Sequence, residues 1–191
     1  MQKDIGGVMG LYPMPVTIVG VVSEGRVNFL PIAHVGVVEH GHLLVSIDKN
    51  HTFSDAGIKE HKELSVSLVS RDMMEAADYC GIVKGAKTDK SGVFRYHFTD
   101  DVKFAPVLDD APVSMACRVV GEVEVGNFTN YILEPVHTLV QEECLNGRGK
   151  IDYEKVNPIL FEFQSAQYLS IGSVIGKCWS VGKNWKSAEK D

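Results

Sequence analysis

Val16-Thr17-Ile18-Val19-Gly20-Val21-Val22-Ser23-Glu24-Gly25-Arg26-Val27-Asn28-Phe29-Leu30 is the stretch that decides the fold. Two apolar, β-branched runs flank a Ser-Glu-Gly turn that leaves room only for an antiparallel connection. The second run continues toward Val38, and Pro31 within it marks an irregularity or a sheet edge. His40-Gly41-His42 then turns the chain into a third run, Leu43 to Ile47. The pattern is a meander, because a parallel crossover needs a dozen or more residues.

Downstream, Thr52 or Ser54 is placed to cap a short helix reaching about Lys59, with Asp55 in its first turn. Leu64 to Val69 reads as a strand. Ser70 or Asp72 can cap a second helix whose apolar positions include Met73, Met74, Ala76, Ala77 and Cys80. The Gly- and Lys-rich stretch from Gly81 to Gly92 reads as an ordered loop. Two longer strands, Val113 to Val125 and Tyr131 to Val140, join through Gly126-Asn127. Turns at Asn146-Gly147 and Gly149 precede a last strand, Ile159 to Phe163. About seven strands with two or three short helices predict a mainly β protein, an antiparallel barrel. Residues 1–185 are expected to form one domain, with 186–191 as a C-terminal tail.

Composition narrows the function. The 191 residues are 45% hydrophobic and 23% charged, ordinary for a chain with a real core, and the net charge is −6. An acidic chain without a basic run argues against a nucleic-acid surface. Ile5 to Ser23 carries no charge, yet Pro13, Pro15 and four glycines spoil it as a spanning helix, so no membrane partner is expected. Cys80, Cys117, Cys144 and Cys178 contain no Cys-x-x-Cys pair, which points to reduced thiols in the cytoplasm. The sites Asn50-His51-Thr52 and Asn127-Phe128-Thr129 carry no weight without a secretion signal.

Several chemistries lack their motifs. No Gly-x-Gly-x-x-Gly follows a strand, and Gly172 to Lys177 is one residue short of a P-loop and lacks its Ser or Thr. Neither His-Glu-x-x-His nor Gly-x-Ser-x-Gly occurs. His34, His40, His42 and His51 lie near one another in sequence, but no carboxylate or Cys completes a regular ligand set, so no metal is assigned.

The segment from Ser46 to Ser54 supplies what a phosphate monoester needs. Such a group carries roughly −1.5 to −2 charges and three acceptor oxygens. Lys49 offers a point charge, His51 a donor, and Ser46, Thr52 and Ser54 hydroxyls, while the first amides of the following helix point toward an anion. A solvated strand-to-helix turn is the competing reading. Asn28 to His34, with Ala33 small and Asn28 and His34 polar, can form one wall of a flat slot. Cys80-Gly81-Ile82 can form another, since glycine lets backbone donors approach a ligand. Lys84, Lys87 and Lys90 form a solvated face or meet an anion. By spacing alone, His34 reads more readily as a hydrogen-bonded strand histidine, and Cys80 as a helix-end packing residue, than as ligand contacts. A phosphate grip beside a flat slot suggests a phosphorylated ring cofactor, and FMN fits best.

The same residues carry a family resemblance. Tyr12-Pro13-Met14-Pro15-Val16-Thr17-Ile18-Val19-Gly20 and Asn28-Phe29-Leu30-Pro31-Ile32-Ala33-His34 resemble the start of the flavin reductase-like, FMN-binding split-barrel proteins, and the chain is most similar to their flavoredoxin branch. Ile47 to Thr52 resembles that family's phosphate-side segment. Asp78 to Gly85, followed by Lys87 and Asp89-Lys90-Ser91, resembles its second cofactor segment. The likeness continues through Tyr168, Gly172, Gly176 and Gly182-Lys183. At His34 the chain departs from the many relatives that carry an aromatic residue such as Trp.

This resemblance implies an antiparallel split barrel and a homodimer holding FMN non-covalently near the subunit interface. It implies redox use of that FMN, as an NADH- or NADPH-dependent reductase or as a carrier serving a protein or small-molecule acceptor. No catalytic side chain is required, because the flavin does the electron chemistry. Lys49, His51, Thr52 and Ser46 are expected at the phosphate and ribityl end. Asn28, Ala33, His34, Cys80, Gly81 and Ile82 are expected beside the ring, with Lys87 following in the second segment. Lys49 is expected to matter more than Lys84 for affinity. The rival is a non-catalytic barrel that binds haem or another ligand, with His34 or His137 as an axial ligand.

Overall fold

The computed structural model describes residues 1–185, so the expected tail at 186–191 lies outside the described residues. A two-residue strand, β1 (Met14–Pro15), leads into β2 (Thr17–Ser23) and β3 (Arg26–Ile32). Glu24 and Gly25 between them have φ of 52° and 71°, the positive values a two-residue hairpin turn needs. Next come β4 (Val35–Glu39), β5 (His42–Asp48), α1 (Thr52–His61), β6 (Glu63–Leu68) and α2 (Met74–Ile82). Two-residue strands β7 (Tyr96–His97) and β8 (Val107–Leu108) precede the long pair β9 (Val113–Val125) and β10 (Phe128–Val140). The chain then runs through α3 (Tyr153–Val156), β11 (Ile159–Glu162) and β12 (Gln167–Ser170).

Seven strands form one antiparallel sheet in the order β3-β2-β6-β9-β10-β5-β4. Its outermost strands, β3 and β4, are joined by Ala33 and His34 alone. The three residue steps from Ile32 to Val35 reach at most about 11 Å, so the sheet must curl until its two edges meet. The Ser46 amide donates to the His34 carbonyl at 2.9 Å across that meeting point. The edges approach without pairing, which gives an antiparallel split barrel.

Alternation along each strand divides the apolar residues between two cores. Val19, Val21, Leu30, Ile32, Val45, Ile47, Val66, Tyr131 and Leu133 fill the barrel, with Ile58 of α1 plugging one end. Ile18, Phe29, Val69, Ala77, Cys80 and Ile159 form a second core on the outer face of β2 and β3, beneath α2 and β11. Each fully buried aliphatic side chain contributes about 1.5–3 kcal/mol. Among the described residues no helix is long and apolar enough to cross a membrane.

Three details differ from the sequence expectation. The run from Val27 to Val38 is two strands, broken at Ala33-His34, where the chain changes sheet edge; Pro31, expected at an irregularity or an edge, lies on β3, an outermost strand of the sheet. Neither helix is capped by a side chain: α1 starts behind His51, and α2 behind a 3₁₀ turn at Arg71–Met73. Gly81 and Ile82 belong to the last turn of α2, so the loop begins at Val83. The extra strands β1, β7, β8 and β12 have two to four residues, too few for alternation to show.

Candidate active site

Asp48 ends β5 and folds the chain back on itself. Its carboxylate accepts from the Asn50 amide and from Asn127 Nδ2, each at 2.8 Å, and its carbonyl accepts from the His51 amide. That turn aims the start of α1 at β3. The His51 carbonyl accepts the first helical bond from Asp55, and no side chain caps the helix. The leading amides of α1 therefore lack an internal partner and carry the positive end of its dipole.

Facing them is the end of α2. Lys90 folds back so that its Nζ donates to the Cys80 carbonyl at 3.0 Å and the Val83 carbonyl at 3.5 Å. Its residue is 2% exposed, and among the described residues it pairs with no carboxylate. Burial pushes its pKa down, against the pull of Cys80. A buried ammonium held only by carbonyls is costly unless an anion completes its surroundings.

Between the two helix ends lies a cleft of about 300 Å³ floored by Asn28, Leu30 and Pro31 of β3. Its other walls are Asn50 to Ser54 and Cys80 to Ala86, together with Lys90. No Asp or Glu lines it, in a chain of net charge −6. Asn28 Nδ2 donates to Ser54 Oγ at 2.8 Å, while Asn28 Oδ1 is buried with no partner. Gly85 lies flat against that amide: a Cβ there would meet Asn28 Cγ at 2.8 Å. An orphan buried polar atom next to uncapped amides and an unpaired ammonium marks a site built for a polar ligand.

His51 carries the cleft onward. With Pro31 it also lines a second hollow of about 230 Å³, whose walls include Ala33, His34, Ser46, Phe128 and Phe163. Ala33, His34, Ser46 and Phe128 in turn border an apolar chamber of about 350 Å³ reaching Met9, Leu11 and Tyr12. His34 Nε2 lies 3.1 Å from the Tyr12 hydroxyl and meets Phe128 edge-on at 5.5 Å. The three spaces are neighbours that share these lining residues and grade from polar to apolar.

Burial lowers the His51 pKa; Asp48 pulls it upward and Lys90 and Lys84 push it further down. Its folded value thus lies below the unfolded value of about 6.5, and the unfolded chain takes up the proton first. The stability tied to this group is complete above that pH and falls as pH drops toward the folded value. A bound anion opposes the burial effect. NMR titration should therefore find the His51 pKa below 6.5 in the free protein and raised when FMN is added.

Cys80 is buried, and loss of water drives its thiol pKa up to about 11 despite nearby Lys90. It is a packing residue with negligible thiolate at neutral pH.

Of the residues singled out from sequence, Asn28, His51, Thr52, Cys80, Gly81 and Ile82 meet in the first cleft. Ala33, His34 and Ser46 border the neighbouring hollow and chamber. Ser46 Oγ is already committed to Asn130 Oδ1 at 2.6 Å. Lys49 lies outside all three spaces, with its Nζ 2.9 Å from the Glu124 carboxylate. Lys87 is exposed on the turn closed by its own amide on the Lys84 carbonyl. His34 and His137, the alternatives weighed for a haem ligand, meet the Tyr12 hydroxyl at 3.1 Å and the Asp101 carboxylate at 2.6 Å. Among the described residues no group of three or more His, Cys, Asp and Glu is placed to hold a metal.

Sequence reasoning named Lys87 among the cofactor contacts and otherwise read Lys84, Lys87 and Lys90 together, as a solvated face or an anion contact. The structure puts Lys90 inside, Lys84 at the cleft wall and Lys87 outside it. Phe128 and Phe163, on β10 and just past β11, also escaped attention, because nothing local distinguishes them from other apolar residues in strands.

Comparison with known proteins agrees with this architecture. The family model for the flavin reductase like domain matches residues 9–167. The solved structure of a flavoredoxin from Methanosarcina acetivorans superposes with a TM-score of 0.90 at 30% identity, covering 96% of this chain and 98% of that one. Flavoredoxin of Desulfovibrio vulgaris (Miyazaki F) gives 0.88 at 29% identity, covering 96% and 100%. An FMN-binding protein from Thermus thermophilus shares the fold, with a TM-score of 0.74 at 19% identity over 89% of this chain and 93% of that one. The chain belongs to the flavin reductase like domain family and lies on its flavoredoxin side.

Proposed function

We propose that the protein binds FMN non-covalently and serves as an oxidoreductase, either an NAD(P)H-dependent flavin reductase or a flavoredoxin-like electron carrier. One observation carries this: the uncapped start of α1 and the buried Lys90 ammonium face one cleft that no carboxylate lines. The residues present fit the phosphate end. Lys90, Lys84, Thr52, Ser54 and the leading amides of α1 would take the monoester oxygens, and the Asn28 amide would meet a neighbouring polar group. Pro31, His51, Phe128 and Phe163 would flank the flat ring in the adjoining hollow, with Ala33 and His34 at its far side.

When bound, the flavin supplies electron transfer in one- or two-electron steps. The chain's part is to hold the phosphate, orient the ring between apolar walls and limit water there. His34 and the Tyr12 hydroxyl, 3.1 Å apart, are the titratable groups bordering the apolar chamber, so they are the groups placed to give or take a proton at that end.

A homodimer is part of the same proposal. Val37 of β4 and Val125 of β9 are 85% and 64% exposed, and Met9 and Leu11 stand open at the chamber rim. Exposed apolar side chains around one opening, as Met9, Leu11 and Val125 are around the chamber, are what a partner would cover. We place the protein in the cytoplasm, where its free thiols stay reduced.

Anaerobic mixing of the FMN-loaded protein with NADH and with NADPH tests the enzymatic form. Loss of the flavin's visible absorbance on the turnover timescale is expected of a reductase. A protein that keeps its colour with both nicotinamides, yet exchanges electrons with a reduced carrier, is the flavoredoxin-like alternative.

A further inference from the structure

We infer that Arg26 is a positioning residue that latches the 83–90 wall of the cleft to its β3 floor and to α1. Three contacts converge on its guanidinium. It lies 4.7 Å from the centroid of the Phe53 ring, in the first turn of α1. Its Nη2 donates to the Gly85 carbonyl at 2.8 Å, and Nη1 stands 3.7 Å from the Asp89 carboxylate. Arg26 itself begins β3, so one side chain ties the floor strand to the phosphate-side helix and to the loop carrying Lys84 and Lys90.

That loop needs such a tie. Between Val83 and Lys90 it has no strand partner, and its own bonds are the short turn from Lys87 and Thr88 amides to the Lys84 carbonyl. From inside, Lys90 fastens it to the end of α2; from outside, Arg26 is the side chain among the described residues that hydrogen-bonds it to the barrel. The contact of Gly85 with the Asn28 amide sets how near the loop can come. Arg26 sets how far it can leave. A planar guanidinium can stack and donate at once, which a lysine ammonium cannot.

Arg26 does not line the cleft, so its effect on a ligand passes through Lys84, Gly85 and Lys90. The consequence for ligand retention rests on the FMN proposal above; the effect on the loop does not. Hydrogen exchange and FMN release separate them. In Arg26→Ala the amides of Lys87 and Thr88 should exchange about tenfold faster, as local opening no longer breaks the latch, while those of Ser46 and Val119 in the barrel keep their rates. Arg26→Lys should resemble the alanine variant rather than the wild type, and it carries the test if Arg26→Ala fails to fold. FMN should leave both variants about tenfold faster, with its association rate little changed. Unchanged exchange at Lys87 and Thr88 in both variants overturns the latch, as does equal acceleration at Ser46 and Val119. If the wild type binds no FMN but the loop amides still accelerate, the latch stands and the cofactor proposal falls. If FMN binds and the loop amides do not accelerate, the latch falls alone.

Discussion

Replacing Lys90 with methionine should raise the Kd for FMN by about 30- to 100-fold, the 2–3 kcal/mol of a charge-assisted hydrogen bond in a water-poor site. The argument is one of geometry and burial. Lys90 is 2% exposed, its Nζ is held by two carbonyls, and no carboxylate neutralises it among the described residues. Methionine keeps much of the stem's volume and removes the charge. Lys84 lines the same cleft but is exposed, so Lys84→Ala should cost only about two- to fivefold. Lys49 already faces Glu124 outside the cleft, and Lys49→Ala should change affinity less than twofold. That order reverses the ranking of Lys49 over Lys84 expected from sequence. Fluorescence titration of the three variants measures it; a Lys49→Ala loss larger than that of Lys90→Met would refute the assignment.

The second large effect is on stability. Gly57 seats α1 against β2 so closely that a Cβ there would collide with the Val22 carbonyl oxygen and lie 2.9 Å from Ser23 Cβ. Both neighbours are strand residues that cannot swing aside, unlike the tip of a long side chain. Gly57→Ala should therefore destabilise the fold by about 3 kcal/mol, at the upper end for overpacking, and lower Tm by roughly 6–12 °C. Helix propensity works the other way, by under 1 kcal/mol, so packing decides the sign. Because Gly57 lies one turn beyond the phosphate-side amides, the displaced helix should also bind FMN more weakly. A thermal melt matching the wild type would contradict this packing.

Where the sequence was legible, physical periodicity made it so. The β2–β3 hairpin was readable from β-branched runs around Glu24-Gly25, whose positive φ values match the turn chemistry. The strand-to-helix turn after β5 was readable because hydroxyls, His51 and a helix start cluster within a few residues. The break at Ala33-His34 was not, because it is imposed by closure of the barrel: β3 and β4 pair with different neighbours at opposite edges of the sheet. Pro31, the local signal, sits inside β3 and keeps its register with Ile18. Lys90 was equally opaque. Its chemistry follows from being folded under α2, and three lysines in one loop look alike until tertiary structure buries one of them. The surroundings of Lys49 were opaque too, since Glu124, which its Nζ meets, lies 75 residues away on the β9–β10 hairpin.

Paired titrations of the purified protein with FMN and with riboflavin test the central claim most directly, since the two ligands differ only in the phosphate. If the cleft between α1 and Lys90 grips that group through several charge-assisted bonds, FMN should bind one per chain and at least about a hundredfold tighter than riboflavin. Equal affinities, or no binding of FMN at all, would contradict the account.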